Sequence, residues 1–221
     1  MDQGVRTHFG GRLLKLAESV LRLGSLARDA VRSGVTSLVT GDAELAREVI
    51  AADQAINSLR LELERECYFL LATEQPVASD MRTIVSALTV SSDLERIGDH
   101  GKKIAETYLR MSQNPRPIPM ANIERMADMA LAMMDRALAV YASRDLEEAH
   151  AVCGADDDVD RFYKQTFNVI LSYMLENSRL IGPGTHLLQV AHELERVADR
   201  STNVAERVIY SVTGELQDLN F

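Results

Sequence analysis

The positions of the five prolines constrain this chain of 221 residues more than any other feature. They leave residues 1–75, 77–114, 120–182 and 184–221 free of proline. Long α-helices need such stretches, because an interior proline loses a backbone hydrogen bond and clashes with the preceding turn. Sustained alternation of apolar and polar residues, which is typical of half-buried strands, is scarce. The sequence therefore predicts an all-α fold made of a few long helices.

Apolar spacing and capping residues place the ends of six helices. In the first helix an apolar residue recurs every three or four positions from Phe9 to Ala30, which predicts one buried face. Asp42, Asp145 and Thr185 are predicted N-caps, since short polar side chains accept hydrogen bonds from the first free N–H groups of a helix. The first helix is expected to end near residue 40, and the others to span about 43–74, 77–111, 121–142, 145–178 and 185–213.

The two halves of the chain repeat each other. Segment 93–106 aligns with segment 193–206 at an offset of 100, and six of the fourteen residues are identical. Upstream the offset becomes 103, where Asp-x-x-Ile-Asn at 53–57 aligns with Asp-x-x-Val-Asp at 156–160. The change of three residues is expected between the second and third helices of each half, because loops tolerate changes of length.

A proline-rich segment, SQNPRPIPM at residues 112–120, separates the two repeats. A residue that precedes a proline is pushed away from helical geometry, so this segment is expected to be a short stiff linker. The predicted organisation is a first repeat over residues 1–111, the linker, and a second repeat over residues 121–221. Each repeat is predicted to be a three-helix bundle, and the two bundles are expected to stand in tandem, related by a pseudo-two-fold axis.

Acidic residues recur at the same helix positions in both repeats. The polar stripe consists of Glu95, Asp99 and Glu106 on the third helix and of Glu195, Asp199, Asn203 and Glu206 on the sixth. Carboxylates one helical turn apart lie about 6 Å from each other, close enough to bind one cation together. A solvated face of an amphipathic helix is the alternative interpretation. Recurrence of Glu-x-x-x-Asp in two diverged repeats favours an oxygen-ligated metal site, with the metal left open.

Other motifs give weaker signals. Glu147-x-x-His150 has the spacing of di-iron carboxylate proteins, but that chemistry needs two such motifs and two more inward glutamates. The three aspartates at 156–158 lack the glycine and terminal glutamate of a calcium loop, so they are interpreted as a solvated charge run. Cys67 and Cys153 are expected to be buried, and they cannot form a zinc site built on thiolates. Because the sequence contains no nucleotide-binding loop and no nucleophile elbow, we predict no catalysis.

Charge and hydropathy exclude two classes of protein. The net charge of −9 argues against non-specific nucleic-acid binding, because phosphate contacts need clustered lysine and arginine. The longest apolar run, residues 165–175, is shorter than the roughly 18 residues that a membrane span needs. No apolar region of a secretory signal follows the N-terminus. The cytoplasm is therefore the expected compartment.

The segment LATEQPVASDMRTIVSALTVSSDLERIGDH at residues 71–100 and the second LERVAD motif at residues 194–199 resemble the PhoU family. The resemblance extends over nearly the whole chain, including the repeat and the linker. It implies two three-helix bundles side by side, with metal ions bound at the acidic motifs. By position, the implied metal ligands are Glu95, Asp99, Glu195, Asp199 and Asn203. Lys102 departs from the pattern, since some members carry an acid there, and it leaves the first site with fewer oxygen ligands.

The resemblance implies a regulator that is not an enzyme. PhoU proteins act as negative regulators of phosphate uptake and of the phosphate-starvation response. The implied partners are the ATPase of the phosphate ABC importer, a membrane-bound sensor histidine kinase and a second copy of this chain, with peripheral contact to the membrane complexes. The implied cofactor is a divalent or ferric ion, with iron, zinc, magnesium and manganese all open. The alternatives are a metal-storage or di-metal redox bundle and a purely structural helical dimer.

Overall fold

The computed structural model describes residues 3–111 and 118–216, with side chains from His8 onward. The helices are α1 (Gln3–Thr40), α2 (Ala43–Thr73), α3 (Ala78–Met111), α4 (Ala121–Ser143), α5 (Leu146–Gly154), α6 (Asp156–Glu176) and α7 (Ile181–Thr213), and a 3₁₀ turn at Ser178–Leu180 precedes α7. No β-strand occurs in these residues, which confirms the prediction of an all-α fold. None of these helices combines the length and the apolar character that a bilayer span requires. Most of the predicted linker, residues 112–117, lies outside the described residues.

Two helices, α3 and α7, form the centre of the molecule. Within the first half α3 packs against α1 and α2, and within the second half α7 packs against α4, α5 and α6. The two central helices also pack against each other, and α1 contacts α4 beside them. The predicted pair of three-helix bundles is confirmed, with α5 and α6 together in the place that α2 has in the first half, and the buried apolar residues of both bundles join in one continuous core.

The apolar face predicted for α1 is buried. Leu16, Val20 and Leu23 are no more than 2% exposed, and Phe9 packs against the same core at the N-terminal end of the helix. Each buried Å² of apolar surface stabilises the fold by roughly 25 cal/mol. The spacing of three and four residues therefore predicted the side of α1 that meets the core.

The backbones of α1 and α3 approach closely at two glycines. A Cβ atom added at Gly101 would lie 2.5 Å from the backbone nitrogen of Val31, and one added at Gly34 would lie 2.5 Å from the carbonyl oxygen of Gly101. Nonbonded atoms do not approach this closely, so any larger residue would push the two helices apart. This contact fixes how α1 lies across α3.

Two polar pairs join α3 to α7, one a partly buried ion pair and the other a buried contact between a histidine and a glutamate. Arg200 Nη1 lies 3.1 Å from Asp93 Oδ1, and His100 Nδ1 lies 2.6 Å from Glu193 Oε2. The two pairs are equivalent in the repeat, because residue 93 aligns with 193 and residue 100 aligns with 200. Each half therefore contributes one acid and one base to the contact between the bundles.

Repeat-related aspartates cap α2 and α5 as predicted. The side chains of Asp42 and Asp145 each accept hydrogen bonds from the backbone N–H groups two and three residues ahead, at 3.0 to 3.2 Å. The residue directly before each cap has a left-handed backbone, with φ of 81° at Gly41 and 59° at Arg144. The caps satisfy N–H groups that have no acceptor inside the helix.

The last helix begins earlier than predicted. α7 starts at Ile181, so the Gly-Pro-Gly segment at 182–184 lies within its first turn and not in a loop. A helix tolerates proline there because its first N–H groups have no intrahelical acceptor. Thr185 is consequently inside the helix, where its hydroxyl donates to the carbonyl of Ile181, and the prediction that it caps α7 is wrong.

The single helix predicted over residues 145–178 is also wrong. α5 ends at Gly154 and α6 begins at Asp156, with Ala155 in a tight turn between them. The first half has Ala51 at the position of Gly154, and α2 runs through it without a break. Glycine weakens a helix by about 1 kcal/mol relative to alanine, and aspartates favour a helix start because they complement its dipole.

The repeat offset changes at the expected connection. Four residues, 74–77, join α2 to α3, whereas Asn177 alone joins α6 to the 3₁₀ turn. The difference of three residues accounts for the change of offset from 103 to 100. The helices on either side of this connection are therefore equivalent in the two halves.

Replacing Gly101 with alanine is expected to destabilise the fold, because the added methyl group would collide with the backbone of α1. We expect a loss of about 1–3 kcal/mol in the free energy of unfolding, which is the usual cost of overpacking. Urea denaturation followed by circular dichroism measures this loss.

Gly11→Ala is the matched control for this substitution, since nothing lies within 4 Å of a Cβ atom added there. Alanine at that position should leave the free energy of unfolding unchanged or raise it by about 0.5–1 kcal/mol. Equal stability of the two variants would show that α1 can move away from α3 without cost.

Candidate metal centre

Four carboxylates from two helices meet in the second half of the molecule. Asp156 and Asp160 lie one turn apart on α6, and Asp199 faces them from α7, with one oxygen from each of the three within 4.8 Å of the others. Glu195 stands one turn before Asp199 on α7 and interacts electrostatically with it and with Asp156. These four residues are the second acidic cluster. In the described part of the chain, no other set of three potential ligands is as close together as its three aspartates.

The second acidic cluster is short of hydrogen-bond donors. Burial, followed by repulsion from the neighbouring carboxylates, raises the pKa of Asp156 to about 7. Burial likewise raises the pKa of Glu195 and of Asp199. Asp156 Oδ1 and Glu195 Oε2 are buried, yet neither accepts a hydrogen bond from any described residue. Burying such a carboxylate oxygen costs free energy unless a proton or a cation binds to it.

His192 stands at the edge of the second acidic cluster. Its Nδ1 atom lies 3.1 Å from Glu195 Oε2, although the two groups are not oriented for a hydrogen bond. The half-exposed imidazole lies beside Tyr163, with ring centroids 6.3 Å apart. A neutral imidazole nitrogen is a common metal ligand, so His192 can extend the ligand set beyond carboxylates.

The residues of the second acidic cluster fit a hard cation. Magnesium and manganese prefer carboxylate oxygens, and zinc accepts carboxylate together with imidazole. Within the described part of the chain, no lysine or arginine forms an ion pair with the four carboxylates, and the nearby Arg200 is paired with Asp93 instead. A bound cation would supply the positive charge and the partner that the two buried oxygens lack.

The equivalent positions in the first half form a different site. Aligned by the repeat, the first acidic cluster consists of Asp53, Asn57, Glu95 and Asp99. Lys102 Nζ lies 3.0 Å from Asp53 Oδ2, and the Asn57 amide donates to the same oxygen at 3.0 Å. Lys103 Nζ lies 2.7 Å from Asp99 Oδ2. Among the described residues, none of the buried side-chain oxygens of this cluster is without a hydrogen-bond partner.

The two lysines make the first acidic cluster a poor fit for a metal ion. The hydrogen bond to Asp53 raises the pKa of Lys102, so its ammonium group stays charged at neutral pH. The predicted ligand Glu95 is half-buried on the same face of α3. Of the predicted pair, Asp99 is thus bound by a protein cation, Lys103, while Lys102 binds the neighbouring Asp53.

Asn203, the remaining predicted ligand, is engaged at another carboxylate. Its side-chain amide lies close enough to Asp93, across the contact between α3 and α7, to favour the ionised carboxylate and so lower the pKa of Asp93, which burial raises. Arg200 binds the same carboxylate at 3.1 Å. The structure therefore places Asp199 in the close group of three aspartates, Glu195 beside that group, and Asn203 near the interface between the bundles.

Both halves of the chain match the same known domain. The PhoU domain matches residues 20–108 and again residues 123–208. The phosphate-specific transport system accessory protein PhoU homolog of Rhizobium meliloti is 35% identical over 211 residues, which cover 95% of this chain and 89% of that protein. The homolog from Clostridium acetobutylicum is 36% identical over 216 residues, which cover 97% of this chain and 99% of that protein. The chain belongs to the PhoU family.

Solved structures of PhoU proteins share the whole fold. The crystal structure of the phosphate transport system regulatory protein PhoU from Streptococcus pneumoniae matches with a TM-score of 0.89 and 31% identity, over 95% of this chain and 99% of that one. PhoU from Pseudomonas aeruginosa matches with a TM-score of 0.90 and 32% identity, over 94% of this chain and 100% of that one. The resemblance to the PhoU family seen in the sequence is confirmed.

The sequence interpretation missed two members of the second acidic cluster of this PhoU protein. The prediction of a solvated aspartate run at 156–158 holds for the exposed Asp157 and Asp158 but is wrong for the half-buried Asp156. The signal that identifies Asp156 and Asp160 is the repeat at an offset of 103, because it pairs them with Asp53 and Asn57 on the equivalent helix.

The weaker motifs take no part in either acidic cluster. Glu147 and His150 are both exposed on α5. Cys67 and Cys153 are free and buried, as predicted. Burial raises the pKa of Cys67 to about 12 and that of Cys153 to about 11. Both thiols are therefore protonated at neutral pH and are weak ligands and nucleophiles.

Replacing Asp156 with asparagine is expected to stabilise the metal-free protein at neutral and higher pH. The unfolded chain releases this proton near pH 4, whereas the folded chain holds it up to about pH 7. The stability of the unchanged protein therefore falls as the pH rises from about 4 to about 7, and the asparagine variant escapes this loss. The melting temperature of Asp156→Asn, relative to that of the unchanged protein, should rise across this range and level off above it.

Differential scanning calorimetry in the presence of a chelator measures this difference in melting temperature. Asp157→Asn is the control, because Asp157 lies in the same helical turn but is exposed, and its effect should change much less with pH. A difference between Asp156→Asn and the unchanged protein that stays constant at every pH would contradict the raised pKa of Asp156.

Proposed function

We propose that this chain is an accessory protein that regulates phosphate transport, restraining phosphate uptake and the phosphate-starvation response when phosphate is plentiful. The observation that carries the proposal is the match of the PhoU domain to both halves of the chain. Relatives that align with nearly its whole length are named accessory proteins of the phosphate-specific transport system. A regulator of this kind acts by binding, so the proposal assigns no catalytic step to it.

The proposed mode of action is that of an adaptor between the ATPase of the phosphate ABC importer and a sensor histidine kinase. Four helices of 31 to 38 residues give the molecule long faces on which partners can dock. The net charge of −9 favours basic patches on those partners, and added salt should slow their association. In this proposal the chain acts in the cytoplasm, and a second copy of it is a further partner.

A metal ion at the second acidic cluster is the proposed cofactor. Asp156 and Asp160 on α6 and Asp199 on α7 would hold it, with Glu195 beside them as a further predicted ligand, and iron, zinc, magnesium and manganese are the candidate ions. The ion would neutralise the carboxylates and connect the two helices. Two buried carboxylate oxygens without a hydrogen-bond partner in the described part of the chain support this assignment.

Replacing Glu195 and Asp199 together with alanine is expected to remove bound metal from the purified protein. The double variant should keep its helical circular dichroism, because these carboxylates lie outside the apolar core and repel their neighbours. Mass spectrometry of the metal content measures the loss, which we expect to be at least about tenfold.

The paired variant Asp157→Ala/Asp158→Ala is the control for metal content, since both residues are exposed beside the cluster. It should retain the metal of the unchanged protein. If the double variant at Glu195 and Asp199 kept its full metal content, the assignment of the second acidic cluster would be wrong.

Deleting the gene is expected to leave phosphate-starvation genes switched on in phosphate-rich medium, because the kinase would lose its restraint. Alkaline phosphatase activity and importer transcript levels measure this derepression, and a plasmid copy of the gene should reverse it. Repression that persists in the deletion strain, in a genome without a second PhoU family gene, would contradict the regulatory function.

A further inference from the structure

The two acidic clusters occupy equivalent places in the fold. Each cluster contains two residues of α2 or α6 and two residues of the central helix of the same half, α3 or α7. The aligned pairs are Asp53 with Asp156, Asn57 with Asp160, Glu95 with Glu195, and Asp99 with Asp199. Within this set the two halves differ by one substitution, because an amide in the first half replaces one carboxylate of the second half.

The next turn of the central helix differs more. Lys102 and Lys103 on α3 align with Thr202 and Asn203 on α7. Lys102 reaches Asp53 on α2, whose side chain is only 11% exposed, with Nζ 3.0 Å from Oδ2. Thr202 is buried and donates to a carbonyl of its own helix, so it makes no equivalent link to α6.

The lysines change the charge balance of the first half. With Lys102 and Lys103 the first acidic cluster has a formal charge of −1, from three carboxylates and two ammonium groups. The second acidic cluster has a formal charge of −4 when all four carboxylates are ionised, and although Arg196 interacts electrostatically with Glu195 and Asp199, no described lysine or arginine forms an ion pair with the four. Buried carboxylate oxygens without a hydrogen-bond partner occur in the second cluster but not in the described side chains of the first.

We infer that Lys102 is the resident cation of the first acidic cluster and keeps metal out of it. The ammonium group joins α3 to α2, as a metal ion would join α7 to α6. The inference deepens the metal-binding part of the proposed function, on which it rests for the second half. Metal binding then changes the charge of the second acidic cluster alone, and the charge of the first acidic cluster stays constant.

The test is the binding of Mn²⁺ to the full chain after treatment with a chelator, measured by electron paramagnetic resonance of the free ion. D156A/D160A removes half of the second acidic cluster and is expected to abolish binding. In that background, N57D/K102T/K103N gives the first half the four carboxylates of the second cluster and the residues of its next turn, while Ser92 remains at the position of His192. This rebuilt variant should bind Mn²⁺ at least about tenfold more tightly than its D156A/D160A parent.

A matched variant isolates the charge at position 102. N57D/K102R/K103N in the same background differs from the rebuilt variant only at that residue, where it keeps a cation, and it should not bind Mn²⁺. Two results would overturn the inference. One is Mn²⁺ binding by D156A/D160A that disappears when Asp53 is also replaced with alanine. The other is a folded rebuilt variant that binds no Mn²⁺.

The same data separate this inference from the proposed function. If the unchanged chain bound no Mn²⁺ and the rebuilt variant did, the metal site of the second half would fail and the role of Lys102 would stand. If the rebuilt variant did not fold, the single change K102Q in the D156A/D160A background would be measured in its place. Its melting temperature should fall below that of its parent and recover with Mn²⁺, whereas K102R should show neither change. A K102Q melting temperature equal to that of the parent would overturn the inference.

Discussion

The packing of α3 against α7 is the constraint on which the rest of the molecule depends. These two helices carry both acidic motifs, and their contact contains the ion pair of Asp93 with Arg200 and the buried contact of His100 with Glu193. Removing one partner of such a pair costs about 1–3 kcal/mol, because a buried polar group is left without its hydrogen-bond partner. The pairs therefore hold the two helices in one register, and the acidic faces point away from the contact toward α2 and α6.

Most of the fold could be predicted from the sequence because its signals are local. Proline-free stretches, apolar spacing and caps such as Asp42 depend on residues within a turn or two, and the helices follow them. The two boundary errors arose where local signals compete. Gly154 and the aspartates after it outweigh a long helical pattern, whereas Pro183 is tolerated because it falls in a first turn. Each of these helix boundaries depends on differences in helix propensity of about 1 kcal/mol per residue.

The candidate site could be predicted only in part, because it is made by packing between helices. Glu195 and Asp199 follow from the repeat on one helix, but Asp156 joins them only through the contact of α6 with α7. Lys102 carried a sequence signal, since it departs from the family pattern. Its partner, Asp53, lies 49 residues away on another helix and became evident only in three dimensions.

The break between α5 and α6 places the first residue of α6 within a cluster of carboxylates. A helix of nine residues such as α5 has few hydrogen bonds of its own, and helix ends open more readily than helix interiors. Opening of this joint would draw Asp156 away from Asp199, whereas α2 runs unbroken through the matching position. Local unfolding at the start of α6 would therefore remove one carboxylate from the cluster, so the order of this helix end and the completeness of the cluster are linked.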